Sequence, residues 1–303
     1  MNQIAIDKVL DSRAKTSQTK RIYKSLYEDM RQYELDTGLS FDEDTLNTLV
    51  CYINQKQYTD IMTVNSRLLY IKYYLKEIGK EDQVKGVLAK DFDLSPGMIR
   101  QFVPSVDEMY SRFSLVYDPN NGDSIFPLGS FAWMGIPFAD AISIQKDEVD
   151  LNSGVITYNG TMTFQYMPSR MRDVMRAYSS VKSVVRDNRK TEMPDGRPEF
   201  IYKTVPAGSS RGGRPIQAGV ASYWFAQVRE AYNKLHTNQI STGYSDILRS
   251  GEYYKARELE LQGMDWSLPK NGEKLQEVFK TKRIEPIYLR HNYFMYKKAF
   301  GLK

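Results

Sequence analysis

Cysteine and histidine are almost missing from this chain of 303 residues, which contains Cys51 and, as its only histidines, His236 and His291. A single cysteine excludes an internal disulfide, and so few sulfur and imidazole donors argue against a conventional zinc site. We therefore predict neither a metal nor a cofactor. No apolar run approaches the ~20 residues of a membrane helix, and the segment from Met1 to Asp7 lacks the pattern of a secretion signal. These absences predict a cytoplasmic protein that does not contact a membrane.

Positive charge is present in excess and is distributed unevenly. The net charge of +5 combines 16 basic against 17 acidic residues over positions 1–115, 1 against 6 over 116–167, and 25 against 14 over 168–303. A basic half is either an ordinary solvated surface or a surface that binds a polyanion such as DNA. The asymmetry favours nucleic acid as a partner.

Apolar residues recur at helical spacing through the first hundred residues, which predicts three amphipathic helices. Gly79 follows the third pattern and is placed to end that helix in a left-handed conformation. The opposite face of the third helix carries Arg67, Lys72 and Lys76, which are either solvated charges or phosphate contacts. The three predicted apolar stripes are Ile22, Leu26, Met30 and Tyr33; Leu46, Leu49, Val50 and Ile53; and Val64, Leu68, Ile71, Leu75 and Ile78.

The periodic pattern weakens between residues 80 and 104, where Ser95 followed by Pro96 can start a short helix that Pro104 interrupts. We place a domain connection there, with one helical domain over residues 1–98 and a second domain over 103–303. In the second domain, residues 155–166 predict a strand pair with Asn159-Gly160 as a hairpin turn. Further helices are predicted over residues 106–116, 125–144, 169–187, 218–235, 244–262 and 273–300.

Two motifs of the second domain resemble those of the tyrosine recombinase (phage integrase) family. Gly135-Ile-Pro-Phe-Ala-Asp140 is similar to the turn that carries the family's first catalytic arginine, and Asp246-Ile-Leu-Arg249 is similar to its His-x-Leu-Arg box. In the first domain, Thr63 to Gly79 is similar to a helix of the family's core-binding domain. The resemblance implies a mainly α fold: a helical, SAM-like core-binding domain plus a mixed, mostly helical catalytic-like domain with a small β-hairpin or sheet.

The resemblance also implies that the catalytic apparatus is degenerate. In the family a tyrosine attacks a DNA phosphate, while arginines, a lysine and histidines stabilise the charge and protonate the leaving oxygen. Pro137 stands at the first arginine position, Thr161 at the hairpin lysine position and Asp246 at the histidine position. Arg249 is retained, and its family role is to hold the scissile phosphate.

The remaining catalytic positions are ambiguous. Tyr288 and Tyr293, with Tyr296 close by, occupy the region of the family's nucleophile, although aromatic residues in such a segment more often pack a terminal helix. Trp266 and Thr281 are alternative occupants of a later histidine or tryptophan position.

Basic residues in four regions are the candidate DNA contacts. The glycine-rich segment 207–215 lacks the Lys-Ser/Thr ending of a nucleotide-binding loop, so it is read as a basic loop. Residues 280–303 contain 7 basic residues against Glu285 alone. The candidates are Arg249; Lys20, Arg21, Lys24, Arg67 and Lys72; Arg211 and Arg214; and Lys282 and Arg283.

These features predict a sequence-specific DNA-binding transcriptional repressor of prophage lysogeny, built on an inactive recombinase scaffold and located at the bacterial nucleoid. Its expected partners are double-stranded operator DNA, further copies of itself on that DNA, and a phage-encoded antagonist. One alternative is a divergent, active recombinase in which Arg170, Lys182 or His291 replaces the missing groups. Another is an accessory factor that bends DNA.

Overall fold

The computed structural model describes residues 1–158, 162–164, 167–186, 189–192, 200–201 and 218–303. The chain forms two compact units, one of residues 1–98 together with 287–303, and one of residues 99–286. The sequence placed residues 287–303 in the second domain, whereas the structure groups them with the first unit.

Helices dominate the described residues, and the predicted fold class, mainly α with a small antiparallel hairpin, is confirmed. The strands are β1 (Val149–Asp150), β2 (Val155–Tyr158) and β3 (Met162–Phe164) in one antiparallel sheet, and β4 (Ser183–Arg186) and β5 (Arg189–Glu192) in another. The helices are α1 (Gln3–Arg13), α2 (Ser17–Thr37), α3 (Thr45–Gln55), α4 (Ile61–Glu77), α5 (Ser95–Gln101), α6 (Val106–Phe113), α7 (Ile125–Trp133), α8 (Phe138–Ala141), α9 (Ser169–Ser180), α10 (Ala218–Leu235), α11 (Tyr244–Leu261), α12 (Gly272–Val278) and α13 (Pro286–Ala299).

Helix α4 of the first unit follows the sequence prediction closely. It begins after Asp60, whose carboxylate accepts the backbone N–H of Thr63 at 2.9 Å and so caps the first turn. Its predicted stripe is buried from Val64 to Leu75, and only Ile78, just past the helix, is half-buried. Gly79 ends the segment with a φ of 70°, which confirms the predicted left-handed residue.

The other two stripes of the first unit are partly wrong, because tyrosines take core positions that the apolar pattern gave to aliphatic residues. Ile22 is 41% exposed and Leu46 is 46% exposed. In their place Tyr27 and Tyr52 are buried, and their hydroxyls are satisfied by the carbonyl of Tyr70 and the carboxylate of Asp29. A tyrosine is buried without penalty when its hydroxyl has such a partner.

Helix α13 is tied to the start of α4 by the side chain of Asn292. The Asn292 Oδ1 accepts the backbone N–H of Ile61 at 3.1 Å, and its Nδ2 donates to Asp60 Oδ1 at 2.7 Å. Lys298 of the same helix forms an ion pair with Asp93 at 3.3 Å. These contacts explain why the terminal segment belongs to the first unit.

The second unit is built around α7, in which every residue is buried. The sequence predicted one helix over residues 125–144, and that extent is wrong, since α7 ends at Trp133. Gly135 then takes a left-handed φ of 77°, and Pro137 precedes the four-residue helix α8. A glycine at positive φ followed by a proline ends a helix and starts a new turn.

The predicted hairpin is present, with Ile156 of β2 opposite Phe164 of β3 in an antiparallel register, and β1 adds a third strand. Its Asn159-Gly160 turn lies outside the described residues. The helix predicted over residues 169–187 ends at Ser180, and β4 follows it. The helix predicted over 273–300 is divided into α12 and α13.

The described residues contain neither a membrane-spanning helix nor a cluster of metal-binding side chains. No helix in this part of the chain is long and apolar enough to cross a membrane. Nor does it hold a group of three or more histidine, cysteine, aspartate or glutamate side chains placed to bind a metal ion.

Candidate phosphate-binding site

Arg249 is positioned by α11, whose first turn is closed by Asp246. The Asp246 carboxylate accepts the backbone N–H of Gly243 at 2.7 Å and the amide of Gln101 at 2.5 Å. Burial raises the pKa of Asp246, and these two hydrogen bonds oppose that rise. The residue at the family's histidine position therefore caps a helix and anchors Gln101, a partner that the sequence did not indicate.

One turn further along α11, Arg249 forms an ion pair with Glu252. Arg249 Nη1 lies 2.9 Å from Glu252 Oε2, although the contact lacks the alignment of a hydrogen bond. The two side chains differ in access to solvent, at 33% exposed for Arg249 and 6% for Glu252. The guanidinium also lies 5.3 Å from the centre of the Phe279 ring, a cation–π contact that holds it in place.

Glu252 is the most perturbed carboxylate of this site. Burial raises its pKa to about 7, while the positive charges of Arg249 and Lys280 act in the opposite direction. A carboxylate with a pKa near neutrality exchanges its proton with solvent under ordinary conditions.

Lys280 connects this charged pair to the turn that carries Pro137. Its ammonium donates a hydrogen bond to the carbonyl of Gly135, two residues before the proline. Burial of the ammonium lowers the pKa of Lys280, and Glu252 counteracts that effect. Lys280 adopts a positive φ of 46°, so a strained backbone supports this contact.

Pro137 is exposed, and it offers no hydrogen-bond donor to solvent or ligand. Its carbonyl accepts the N–H of Ala141 at 2.9 Å and so begins α8. The structure therefore brings together Pro137, Lys280, Glu252 and Arg249 within the second unit.

The close approach of α11 to the end of α7 makes this grouping possible. A Cβ on Gly251 would lie 1.8 Å from the backbone carbonyl oxygen of Trp133, so the position tolerates only glycine. The neighbouring Ser250 is fully buried and accepts the N–H of Val103 at 3.1 Å. Backbone contact of this kind fixes the register of α11 against the Pro137 turn.

A cleft of about 560 Å³ opens beside Glu252. Two carboxylates and two ammonium groups contribute to its wall, together with aromatic surface. The residues that line it are Trp133, Met134, Gly135, Pro168, Gly251, Glu252, Tyr254, Lys255, Glu258, Leu259, Gln262, Val278 and Lys280.

Three of the basic residues proposed in the first unit have partners within that unit. The Lys72 ammonium donates to the carbonyl of Val87 at 2.8 Å, and Arg67 hydrogen-bonds the hydroxyl of Tyr58. These contacts hold both side chains against their own unit. On α2, Lys20 pairs with Asp11 at 3.4 Å, whereas Arg21 and Lys24 are exposed.

The terminal tyrosines belong to the first unit, and Arg249 belongs to the second. Tyr293 and Tyr296 are 0% exposed, and Tyr288 is half-buried against the core of the first unit. Burial of this kind is typical of tyrosines that pack a helix.

Of the other positions considered, Trp266 is buried, and its indole N–H donates to the carbonyl of Ala256 at 2.9 Å. Thr281 follows the end of α12 and donates its backbone N–H to the carbonyl of Gln276 at 3.0 Å. Lys282 and Arg283 are exposed in the segment before α13.

The three residues proposed to replace the missing catalytic groups in a divergent enzyme differ in their surroundings. Arg170 pairs with Asp107 at 3.7 Å, and Lys182 is exposed. His291 is half-buried, burial lowers its pKa, and its Nε2 has no hydrogen-bond partner within the described part of the chain. Thr161, Arg211 and Arg214 lie outside the described residues.

Sequence reasoning missed Glu252 and Lys280. The signal for Glu252 is its spacing, since it follows Arg249 by three residues and stands next to Ser250 and Gly251, two small residues of a closely packed helix face. No local pattern marks Lys280, whose role depends on a contact across 145 residues of sequence.

The comparisons with known proteins give structural neighbours alone. No family profile and no curated protein matches the chain. It is similar to the Tn1549 transposon integrase in complex with circular intermediate DNA, at 16% identity and a TM-score of 0.39, over 99% of this chain and 98% of that chain. A structure of that integrase with transposon right end DNA is similar at 14% identity and a TM-score of 0.38, over 98% of this chain and 93% of that one.

Proposed function

We propose that this chain binds double-stranded DNA without cutting it and acts as a transcriptional repressor on an inactive tyrosine recombinase scaffold. The observation that carries the proposal is the contrast between two positions of the second unit. Arg249 is partly exposed and can bind a phosphate, while Pro137, at the position of the family's first arginine, supplies no donor. Guanidinium groups bind phosphate well, but cleavage also needs preorganised donors for the developing charge.

The charge distribution supports the same proposal. Residues 168–303 carry 25 basic against 14 acidic side chains. Such an excess attracts a phosphate backbone regardless of its sequence, and base contacts would then select the operator. We propose a role similar in kind to that of the master repressor of SPβ-type prophages, with operator DNA, further copies of the chain and a phage-encoded antagonist as its partners.

The burial of Tyr293 and Tyr296 supports the absence of cleavage, because a nucleophile must reach the phosphate. Tyr288 is the more accessible candidate, and His291 stands one turn away from it on α13. A divergent recombinase that uses this pair is the competing function.

A single sample analysed on two gels tests the proposal. The full-length protein is mixed with a nicked duplex that traps a phosphotyrosyl bond, and is then run under native and denaturing conditions. We expect a shifted band on the native gel and no covalent band on the denaturing gel. A covalent adduct that disappears with Tyr288→Phe or Tyr293→Phe would show that the chain is an active recombinase.

The biological half of the proposal is tested by mapping bound sites on the host genome. Repressor activity predicts several sites upstream of promoters. One pair of sites at an attachment locus would instead indicate integration.

A further inference from the structure

Arg249 has an anion beside it before any DNA is bound. Glu252 Oε2 lies 2.9 Å from Arg249 Nη1, and the Glu252 side chain is 6% exposed. A phosphate that approaches the exposed part of the guanidinium meets a cation that is already partly neutralised. The carboxylate and the phosphate therefore compete for one positive charge.

When Arg249 is engaged by a phosphate, Glu252 is left in an unfavourable environment. Its Oε2 makes no hydrogen bond in the described part of the chain, so the ion pair supplies most of the compensation for that oxygen. A buried carboxylate that loses its cation is costly as an anion and is stabilised by taking up a proton.

We infer that Glu252 is an internal competitor of DNA phosphate for Arg249, and that binding of phosphate by Arg249 is accompanied by proton uptake from solvent at Glu252. The inference rests on the proposed function, because it takes DNA to be the source of the phosphate. It adds a residue that sets the strength of DNA binding and makes that strength depend on pH.

The charged groups around Glu252 come from three places in the second unit. Helix α11 contributes Arg249 itself, and it also carries Lys255 and Glu258 along the cleft. Lys280 reaches in from the segment after α12, and Asp140 of α8 acts on Lys280. Lys280 remains beside Glu252 when Arg249 turns to a phosphate, which limits the cost of the exchange.

The direction of the pH dependence follows from the pKa of Glu252. In the free protein this pKa is about 7, because burial raises it and Arg249 and Lys280 hold it down. In the complex Arg249 is engaged by phosphate, so the pKa of Glu252 rises. The complex then binds more protons than the free protein, and DNA affinity falls as the pH increases through 7 and above.

The experiment measures binding of a fluorescent duplex of about 40 base pairs and mixed sequence at low salt, between about pH 6 and about pH 8.5. For the wild type we expect affinity to fall as pH rises. Glu252→Gln should bind DNA up to about tenfold more tightly at the upper end of this range, because its neutral amide does not compete with phosphate for Arg249. The DNA affinity of this variant should also change less with pH than that of the wild type, because residue 252 no longer titrates.

Two controls separate this competition from a general effect of charge. Glu273→Gln removes the same negative charge at an exposed position of α12. It should change affinity little at any pH. Arg249→Ala combined with Glu252→Gln should lose the gain in affinity, because the released guanidinium is the group that binds.

The outcomes are distinguishable. If the wild type binds no duplex at any pH, both the proposed function and this inference fail. If the wild type binds, but Glu252→Gln matches it at every pH or binds more weakly while its thermal unfolding is unimpaired, DNA binding stands and the competition is wrong. A wild-type affinity that does not fall between about pH 7 and about pH 8.5 overturns the competition without any substitution, so this test stands even if a variant folds poorly.

Discussion

At the scale of single residues, the pair Arg249 and Glu252 couples stability to pH. A buried carboxylate whose folded-state pKa lies above its ordinary value favours the folded state in its protonated form. Glu252 has an ordinary value of 4.5 and a folded value of about 7. Between these values the folded chain binds more protons than the unfolded chain, so the contribution of Glu252 to stability declines as pH rises.

Arg249→Ala should therefore destabilise the protein in a pH-dependent way. Near pH 8 the variant removes the cation that stabilises the ionised form of Glu252, so the carboxyl must either take up a proton or stay buried as an anion without Arg249, and we expect a loss of about 2 kcal/mol in the free energy of unfolding. Near pH 5 the carboxyl is protonated and the loss should be much smaller. Urea unfolding at the two pH values measures both, and equal losses would contradict the ion-pair account.

Sequence reasoning reached one member of this pair and not the other. Arg249 stands in a motif that can be recognised without coordinates. Glu252 resembles any charge on a helix, and its importance comes from burial against the end of α7, which only the tertiary structure provides. The Asp246 position shows the same limit, since its cap on Gly243 fits a local pattern while its bond to Gln101 does not.

At the scale of secondary structure, the contact between α11 and α7 fixes the site. Gly251→Ala would place a methyl carbon 1.8 Å from the carbonyl oxygen of Trp133, so the two helices must separate. We expect a loss of about 3 kcal/mol in the free energy of unfolding, as for overpacked cores. The matched control is Gly219→Ala in α10, where nothing lies within 4 Å and a small gain in stability is expected. Similar results for the two variants would show that the helices do not touch as described.

The helices themselves were predictable where one periodic stripe coincides with one element. Helix α4 is such a case, and α10 spans residues 218–235 as expected. The error at α7 has a physical cause. The run of apolar residues continues past Trp133, but Gly135 and Pro137 turn the backbone there. Apolar residues before and after this turn are both buried, so the apolar pattern continues although the helix ends.

At the scale of the whole molecule, the first unit is assembled from both ends of the chain. Asn292→Ala would leave the N–H of Ile61 without its acceptor, at a cost of about 1–3 kcal/mol. Hydrogen exchange should therefore quicken in α4 and remain unchanged in α7 and α11. Phe294→Ala, at a residue of α13 that is 41% exposed, is the control and should leave α4 protected. Uniform acceleration across both units would contradict the division into two units.

The hydrogen bond from Ile61 to Asn292 spans 231 positions, and this has a consequence for how the protein is made. A ribosome that has released α4 must still synthesise the entire second unit before the residue that covers the start of that helix emerges. During that interval the first unit lacks α13 and depends on its remaining apolar contacts to stay compact. Chains that terminate early therefore contain every residue of α1 to α4 and still lack a finished first unit.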